Sequence, residues 1–158
     1  MPEATDLAAL FERDLKRLSQ QVLTFTDEQK LWALAPGVSN SAGNLMLHLE
    51  GNLREYIGRV LGGLPYRRVR DDEFGKKGIS HVELTARIEK IVQMVPKVVG
   101  ELTSERLDAL YPEGVLNGPL STRQFLMHLY GHFNYHLGQI DYLRRILTAG
   151  SAVAYAQL

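Results

Sequence analysis

Apolar residues recur every three or four positions along most of this chain, and no run of strict alternation between apolar and polar residues competes with that pattern. Such a period is typical of amphipathic helices and excludes a fold built mainly from strands. The first segment of this kind predicts a helix over residues 5–23, whose apolar stripe consists of Leu7, Leu10, Phe11, Leu15, Leu18 and Val22.

Three further helices are predicted, each with capping residues at its start. The second runs from residues 39–41, which are Ser-Asn-Ser, to the Gly62-Gly63 pair. The third covers residues 80–102, with Pro96 as a weak point, and the fourth covers residues 121–147. A short turn at residues 26–34 is indicated by the capping-box spacing of Thr26 and Gln29.

Four amphipathic helices in 158 residues predict an all-α four-helix bundle in a single domain, residues 1–158. The connection over residues 64–80 is much longer than neighbouring antiparallel helices need. It is long enough to span a helix and leave the second and third helices parallel. The sequence therefore favours an up-down-down-up arrangement with long crossover loops.

The charge balance argues against a polyanionic partner. Eighteen basic and eighteen acidic residues give a formal net charge of zero, and the Arg67–Arg70 segment is short and followed by three acidic residues. We therefore expect a small-molecule or protein partner, with no nucleic acid and no membrane. No apolar run approaches 18 residues, and the first residues do not resemble a signal peptide. Together with the absence of cysteine, this predicts a cytoplasmic protein whose metal ligands, if any, are imidazoles or carboxylates.

Three of the five histidines lie within nine residues of the fourth helix, at His128, His132 and His136. Neighbours four apart project from nearly one side of a helix, about 6 Å apart along its axis, and such a pair can hold one metal ion. His128 and His136 are about 12 Å apart along that axis, too far to share an ion at the roughly 2.0–2.1 Å of a zinc–imidazole bond. At most two of the three can share a metal, so a third ligand has to come from another helix.

His48 is the candidate for that third ligand. It lies in a polar column within the apolar second helix, and this column consists of Asn44, His48, Asn52 and Glu55. Burying polar groups within an apolar helix costs free energy unless they are hydrogen-bonded, so the column faces solvent or a polar pocket. If the second and fourth helices are antiparallel with level ends, His48 faces a point nearer His136 than His128. The predicted ligands are therefore His48, His132 and His136, and the alternative is that the spaced histidines are surface or packing residues.

The segment SNSAGNLMLHLEGNLR, followed by RRVRDDEF and then by HLYGHFNYHLGQ, resembles the DinB/YfiT-like superfamily, whose members are regarded as metal-dependent enzymes. The resemblance covers essentially the whole chain and is strongest to one uncharacterised subfamily. It implies an up-down-down-up bundle, a homodimer, and a divalent ion, zinc or nickel, on His48, His132 and His136. The family frequently has a basic residue after the last histidine, where this chain has Leu137.

The resemblance also implies a range of activities. Members with assigned activity include S-transferases that use bacillithiol or mycothiol, and others resemble hydrolases or isomerases. A three-histidine ion with an open position can activate a water or a thiol, and since the chain has no cysteine, a thiol must arrive as a cosubstrate.

Further residues are candidates for the surroundings of the ion. Asn44 and Asn52 are candidates to orient a ligand or to contact substrate, Glu55 is a weaker acid/base candidate, and Gln139 is a candidate hydrogen-bond partner of a ligand. His128 is predicted to lie beside the site as a packing or supporting residue. The charged segment of the long connection is a candidate to cover the open coordination position of the ion. The favoured interpretation is a solvated loop whose charges pair with each other. Its charged residues are Arg67, Arg68, Arg70, Asp71, Asp72 and Glu73.

Two hypotheses about function follow. The first is a metal-dependent transferase or hydrolase acting on a small molecule, and the second is a dimeric bundle that binds metal or ligand without turnover. A di-iron carboxylate site is disfavoured because neither His132 nor His136 has a glutamate three residues earlier.

Overall fold

The structure is a computed structural model that describes residues 2–153. Four long helices are joined by connections that contain three short ones. The long helices are α1 (Pro2–Thr24), α3 (Ala42–Leu53), α5 (His81–Gly100) and α7 (Thr122–Thr148). The short helices are α2 (Glu28–Leu31), α4 (Arg70–Gly75) and α6 (Ser104–Asp108). The predicted all-α class is confirmed, since the β pairing within residues 2–153 is one isolated bridge between Leu110 and Ser121.

The helix starts follow the capping residues that the sequence offers. The Ser41, Ser80 and Ser121 side chains each accept a hydrogen bond from a backbone N–H of the first turn that follows. The Ser121–Gln124 capping box is complete, as predicted. The prediction for the first short turn was wrong by one residue, because Asp27 rather than Thr26 caps α2.

Side-chain contacts give the relative directions of the long helices. α1 is antiparallel to α5, because Ser19 contacts Glu89 and the His81 ring donates to the Val22 carbonyl. α3 is parallel to α5, with Glu50 paired to Arg87 and, further along both, Gly58 beside Met94. These pairings are compatible with the predicted up-down-down-up order.

α3 is the central element of the bundle. All twelve of its residues are buried, because α2, α4, α5 and α7 surround it. It is antiparallel to α7, since Tyr56 after its end packs on Phe125 and His48 within it packs on His136. The polar column of α3 therefore lies inside the protein, next to α7.

The predicted second helix is not a regular α-helix to its end. After Leu53 the backbone continues as a π-helix over Arg54–Arg59, before Gly63 takes a positive φ. One inserted turn of this kind rotates the residues beyond it, and such turns are frequent next to functional sites. Here Glu55 pairs with Arg59 at 2.7 Å.

The long connection over residues 64–80 was expected to be a loop, and the structure corrects this. Residues Arg70–Gly75 form α4, which packs on α3. Phe74 packs on the ring of His48 with the ring planes tilted by 34°, and Glu73 is only 5% exposed, so one face of α4 is buried while Arg70, Asp71 and Gly75 are exposed. Within residues 2–153 there is no helix long and apolar enough to cross a membrane. The predicted tail, residues 151–158, lies largely outside the described residues.

A buried charge cluster joins α1 to α7. Asp14 is fully buried, pairs with Arg13 and Arg17, and accepts a hydrogen bond from the Tyr130 hydroxyl at 2.6 Å. Burial raises the pKa of Asp14, but the hydrogen bonds from Arg13 and Tyr130 outweigh it and hold this pKa below its usual value.

Replacing this carboxylate should make stability less dependent on pH. The folded pKa of Asp14 is depressed, so its stabilisation is present above the unfolded value of 3.8 and is lost as pH falls through the folded pKa. We expect Asp14→Asn to lower the free energy of unfolding by about 1–3 kcal/mol at pH 7. Urea unfolding at pH 7 and pH 3 should show the difference from wild type shrinking at the lower pH. An equal difference at both values would contradict this account.

Candidate metal centre

α3 and α7 bring three histidines together at the centre of the bundle. One ligand atom from each of His48, His132 and His136 lies within 4.8 Å of the others, a group that can hold a metal ion. The Nε2 atoms of His48 and His132 are 3.2 Å apart. In a tetrahedral site with bonds of about 2.0–2.1 Å, ligand nitrogens are separated by about 3.3–3.4 Å. This pair is already spaced for one ion, and these are the three residues named from the sequence.

A carboxylate fixes the orientation of His48. Glu73 Oε2 lies 2.8 Å from His48 Nδ1, and Arg68 binds the same carboxylate through two nitrogens at 2.6 and 2.9 Å. Burial raises the pKa of Glu73, but the hydrogen bonds from His48 and Arg68 outweigh it and keep this pKa below its ordinary value. Glu73 is therefore ionised and accepts a hydrogen from Nδ1, which leaves the Nε2 lone pair of His48 facing the other histidines.

Two residues of α3 allow α4 to come this close. Asn44 donates from its amide to the backbone carbonyls of Glu73 and Lys76, at 3.0 and 2.8 Å. Gly51 has no side chain where the Glu73 carboxylate lies, and a Cβ built there would overlap Oε1 and stand 2.9 Å from Cδ. Asn44 thus holds the element that orients His48.

His136 is oriented in the same manner by its own helix. Gln139 Oε1 lies 2.7 Å from His136 Nδ1, so Nδ1 carries the hydrogen and Nε2 keeps its lone pair. Burial lowers the pKa of His136, against the Gln139 hydrogen bond that raises it. Burial first, and then the neighbouring His136 and His48, lower the pKa of His132 to about 4. Both imidazoles are neutral at pH 7, which is the form that binds metals.

The donor set fits a divalent ion by a test independent of spacing. Glu73 and Gln139 bind the Nδ1 atoms of His48 and His136, which leaves Nε2 as the ligand atom that each of these rings offers. His132 Nδ1 is buried without a hydrogen-bond partner among the described residues, so this ring has no outer support of the kind its two neighbours have.

Three other candidate residues from the sequence, His128, Asn52 and Glu55, lie outside the group of three histidines. His128 stacks on His132 with ring centroids 6.5 Å apart and is not in the ligand group. Asn52 lines a cavity beside His48 and His132, and its Oδ1 is buried without a partner in the described part of the chain. Glu55 is bound to Arg59, which also pairs with Glu113, so the structure does not bring Glu55 to the histidines.

Sequence reasoning missed the role of Glu73. It was one member of a charged loop expected to be solvated and self-paired; the pairing is present in Arg68–Glu73 and Lys76–Asp72, but Glu73 is buried. The signal that indicates such a role is Gly51, three residues after His48 on the same side of the helix, which opens room for a neighbouring side chain. Phe74, the apolar residue next to Glu73, gives a second signal for burial of this segment.

Two cavities lie on either side of the triad. The first has a volume of about 240 Å³ and is lined by His48 and His132 together with polar and basic side chains, and we call it the basic cavity. Its other lining residues are Asn52, Tyr56, Arg68, Arg70, Gly114, Val115, Leu116, Phe125, His128 and Leu129. The second, of about 360 Å³, is lined by His136 and Gln139 and is mainly apolar and aromatic, and we call it the apolar cavity; it includes Leu45, Tyr135, Tyr142, Leu143 and Ile146. The site is therefore accessible from two chemically different sides.

Comparison with known proteins agrees with this geometry. The profile of a family described as "Protein of unknown function (DUF1572)" matches residues 6–154. A DinB-like protein from Bacillus cereus is 19% identical, with 89% of each chain covered and a TM-score of 0.68. A DinB-like protein from Bacillus subtilis is 14% identical, with 97% of this chain and 99% of the other covered and a TM-score of 0.71. No curated protein matches the sequence. The predicted resemblance to the DinB/YfiT-like superfamily is confirmed at the level of the fold.

Proposed function

The chain belongs to the family of proteins of unknown function DUF1572, and we propose that it is a divalent-metal-dependent enzyme acting on a small molecule. His48, His132 and His136 hold the ion in this proposal. The observation that carries it is the pair of hydrogen bonds from His48 to Glu73 and from His136 to Gln139, which engage Nδ1 of two rings in a group whose ligand atoms lie within 4.8 Å of one another. Structural packing alone does not require both tautomers to be fixed in this way.

The chemistry follows from the donor set. An ion held by the three imidazoles would keep its positive charge and would lower the pKa of a water or a thiol bound to it. The surrounding residues orient the ligands for this. Glu73 holds the His48 ring in place, Arg68 keeps Glu73 ionised, and Phe74 packs on the His48 ring.

A transferase that joins two small molecules is the reaction class we favour, and a hydrolase is the closest variant. The basic and apolar cavities both reach the triad, so two different molecules can approach it from separate sides. The chain has no cysteine, so a thiol nucleophile has to be a cosubstrate such as bacillithiol. The second candidate, a bundle that binds metal or ligand without turnover, is favoured by the lack of any aspartate or glutamate among the lining residues of the basic cavity in the described part of the chain.

The remaining parts of the proposal concern the ion and the assembly. Zinc and nickel suit a buried set of imidazoles better than the hard cations, which prefer oxygen ligands. A homodimer, which the resemblance implies, is also part of the proposal, and its interface would include Met127, an exposed apolar residue of α7 outside both cavities. A cytoplasmic location completes the proposal.

Metal analysis combined with a turnover assay tests this function. Protein purified without chelators should hold about one divalent ion per chain, and the ion should be removable by a chelator. The loaded protein should transfer low-molecular-weight thiols to a model electrophile, or hydrolyse a model ester, and the chelated protein should lose this activity and regain it with Zn²⁺ or Ni²⁺.

The outcomes separate the two candidates. Bound metal with no metal-dependent turnover, using any thiol or water, would favour the binding bundle. Protein that holds no divalent ion after purification and cannot be loaded would overturn both metal-based candidates. Sedimentation at several protein concentrations tests the dimer independently.

A further inference from the structure

We propose that the basic cavity binds the carboxylate of a small-molecule substrate through Arg70, while Asn52 accepts a hydrogen bond from an N–H or O–H group of the same molecule. This rests on the proposed function, because the reacting group of that molecule is taken to lie at the histidine triad. It adds the class of substrate, which the triad by itself does not specify.

The cavity is positively charged. Two arginines and three histidines line it, and no aspartate or glutamate is among its lining residues in the part of the chain that the structure describes. Its floor is formed by His48 and His132, two of the three proposed metal ligands. A bound divalent ion would add further positive charge, so an anionic molecule is attracted to this cavity and a cationic one is repelled.

The two arginines of the cavity differ in what they already bind. Arg68 makes a two-nitrogen contact with Glu73, and its charge is thereby neutralised. Arg70 has no carboxylate within 4.0 Å among residues 2–153, and it lies over the ring of Phe74 at 5.8 Å. One guanidinium remains to bind an anion, and its planar pair of donors matches a single carboxylate group.

Asn52 supplies a second point of recognition. It is 7% exposed, it lines the cavity, and its Oδ1 is buried with no hydrogen-bond partner among the described residues. A buried hydrogen-bond acceptor without a partner costs free energy of folding, so it indicates that a bound ligand supplies the hydrogen-bond donor. Asn52 lies one turn after His48, about 6 Å along the helix axis, so one molecule can contact the triad and Asn52 together.

The walls and size of the cavity restrict the molecule further. Phe125, Leu129 and Leu116 give apolar surface between the polar groups. The volume of about 240 Å³ lies below the about 300–1,000 Å³ of drug-sized clefts, which indicates a metabolite-sized ligand. The substrate is thus a small acid that also carries an amide or hydroxyl group and a reacting group.

The experiment uses two probes that differ only in charge. N-acetylcysteine carries a carboxylate, and N-acetylcysteine amide carries a neutral carboxamide in the same place. Each is titrated into Co²⁺-loaded protein, and thiol binding is followed through the visible spectrum of the ion. We expect the acid to bind about 3- to 5-fold more tightly than the amide, since Arg70 is exposed and its ion pair with the carboxylate is partly screened by solvent.

Three variants assign this preference to residues. Arg70→Ala should remove the preference and leave binding of the amide unchanged. Arg67→Ala is the matched control, because Arg67 is an exposed arginine that lines a different cavity, and it should keep the preference. Asn52→Ala should weaken both probes by the same factor, because both carry the acetamide N–H. Circular dichroism of each variant confirms that it is folded.

Equal binding of the two probes, or a preference that survives Arg70→Ala, would overturn the inference. Failure of the proposed function is seen separately, as a protein that does not load Co²⁺. The carboxylate site is then tested on the metal-free protein, by NMR titration with N-acetylglycine and N-acetylglycinamide. A carboxylate preference that depends on Arg70 there would support the site without the metal, and its absence would overturn it.

Discussion

His132→Ala is expected to weaken the binding of Zn²⁺ or Co²⁺ by more than about 100-fold. Loss of an outer hydrogen-bonding partner of a ligand typically weakens metal binding by about 10–100-fold, and loss of a ligand itself should exceed that range. His132 Nε2 is 3.2 Å from His48 Nε2, so its removal leaves His48 and His136 as the only members of the ligand group within residues 2–153. Competition with a chromophoric chelator measures the affinity directly.

His128→Ala is the matched control for this experiment. His128 is one turn before His132 on the same helix and stacks on its ring, but it is outside the ligand group. We expect the metal affinity of this variant to remain within about 3-fold of wild type, a change small beside the loss of a ligand. If the two variants lost affinity equally, the assignment of His48, His132 and His136 as the ligands would be wrong.

Gly51→Ala should lower metal affinity by about 10–100-fold although residue 51 touches no ligand atom. The added Cβ would occupy the place of the Glu73 carboxylate. Two hydrogen bonds from Arg68 and one from His48 hold this carboxylate against α3. We expect Glu73 to be displaced and His48 to lose the acceptor that fixes its tautomer. Alanine also favours a helix over glycine by roughly 0.5–1 kcal/mol, so loss of affinity is not accounted for by loss of helix propensity.

Two further variants show whether the effect passes through Glu73. Gly131→Ala adds the same methyl group to α7 where nothing lies within 4 Å, and it should leave metal affinity unchanged. Glu73→Gln should reproduce the loss seen in Gly51→Ala. The double variant should then be little worse than either single one, since both remove one interaction. Additive losses in the double variant would show that Gly51 acts by another route.

The histidine pair of α7 was accessible from the sequence because helical spacing is a local property. Three histidines four residues apart cannot all reach one ion, and His48 was the remaining internal histidine in an apolar helix. The predicted helix ends were mostly correct for the same reason, since Ser41, Ser80 and Ser121 cap the residues that directly follow them. The π-helix at Arg54–Arg59 was not predicted, because its hydrogen bonds depend on how the end of α3 packs on α5.

The sequence by itself determined the all-α class, the four long helices and the histidine pair on α7, because periodicity, caps and ligand spacing depend on residues close together in the chain. His48 is 84 residues before His132 and was identified as the remaining internal histidine. Only the tertiary structure decided which side chains orient those histidines and what surrounds them. Glu73 reaches His48 across 25 residues, through a short helix whose position depends on Asn44 and on the space beside Gly51. Whether a charged loop is solvated or buried is set by such distant contacts, and no local pattern in RRVRDDEF encodes them.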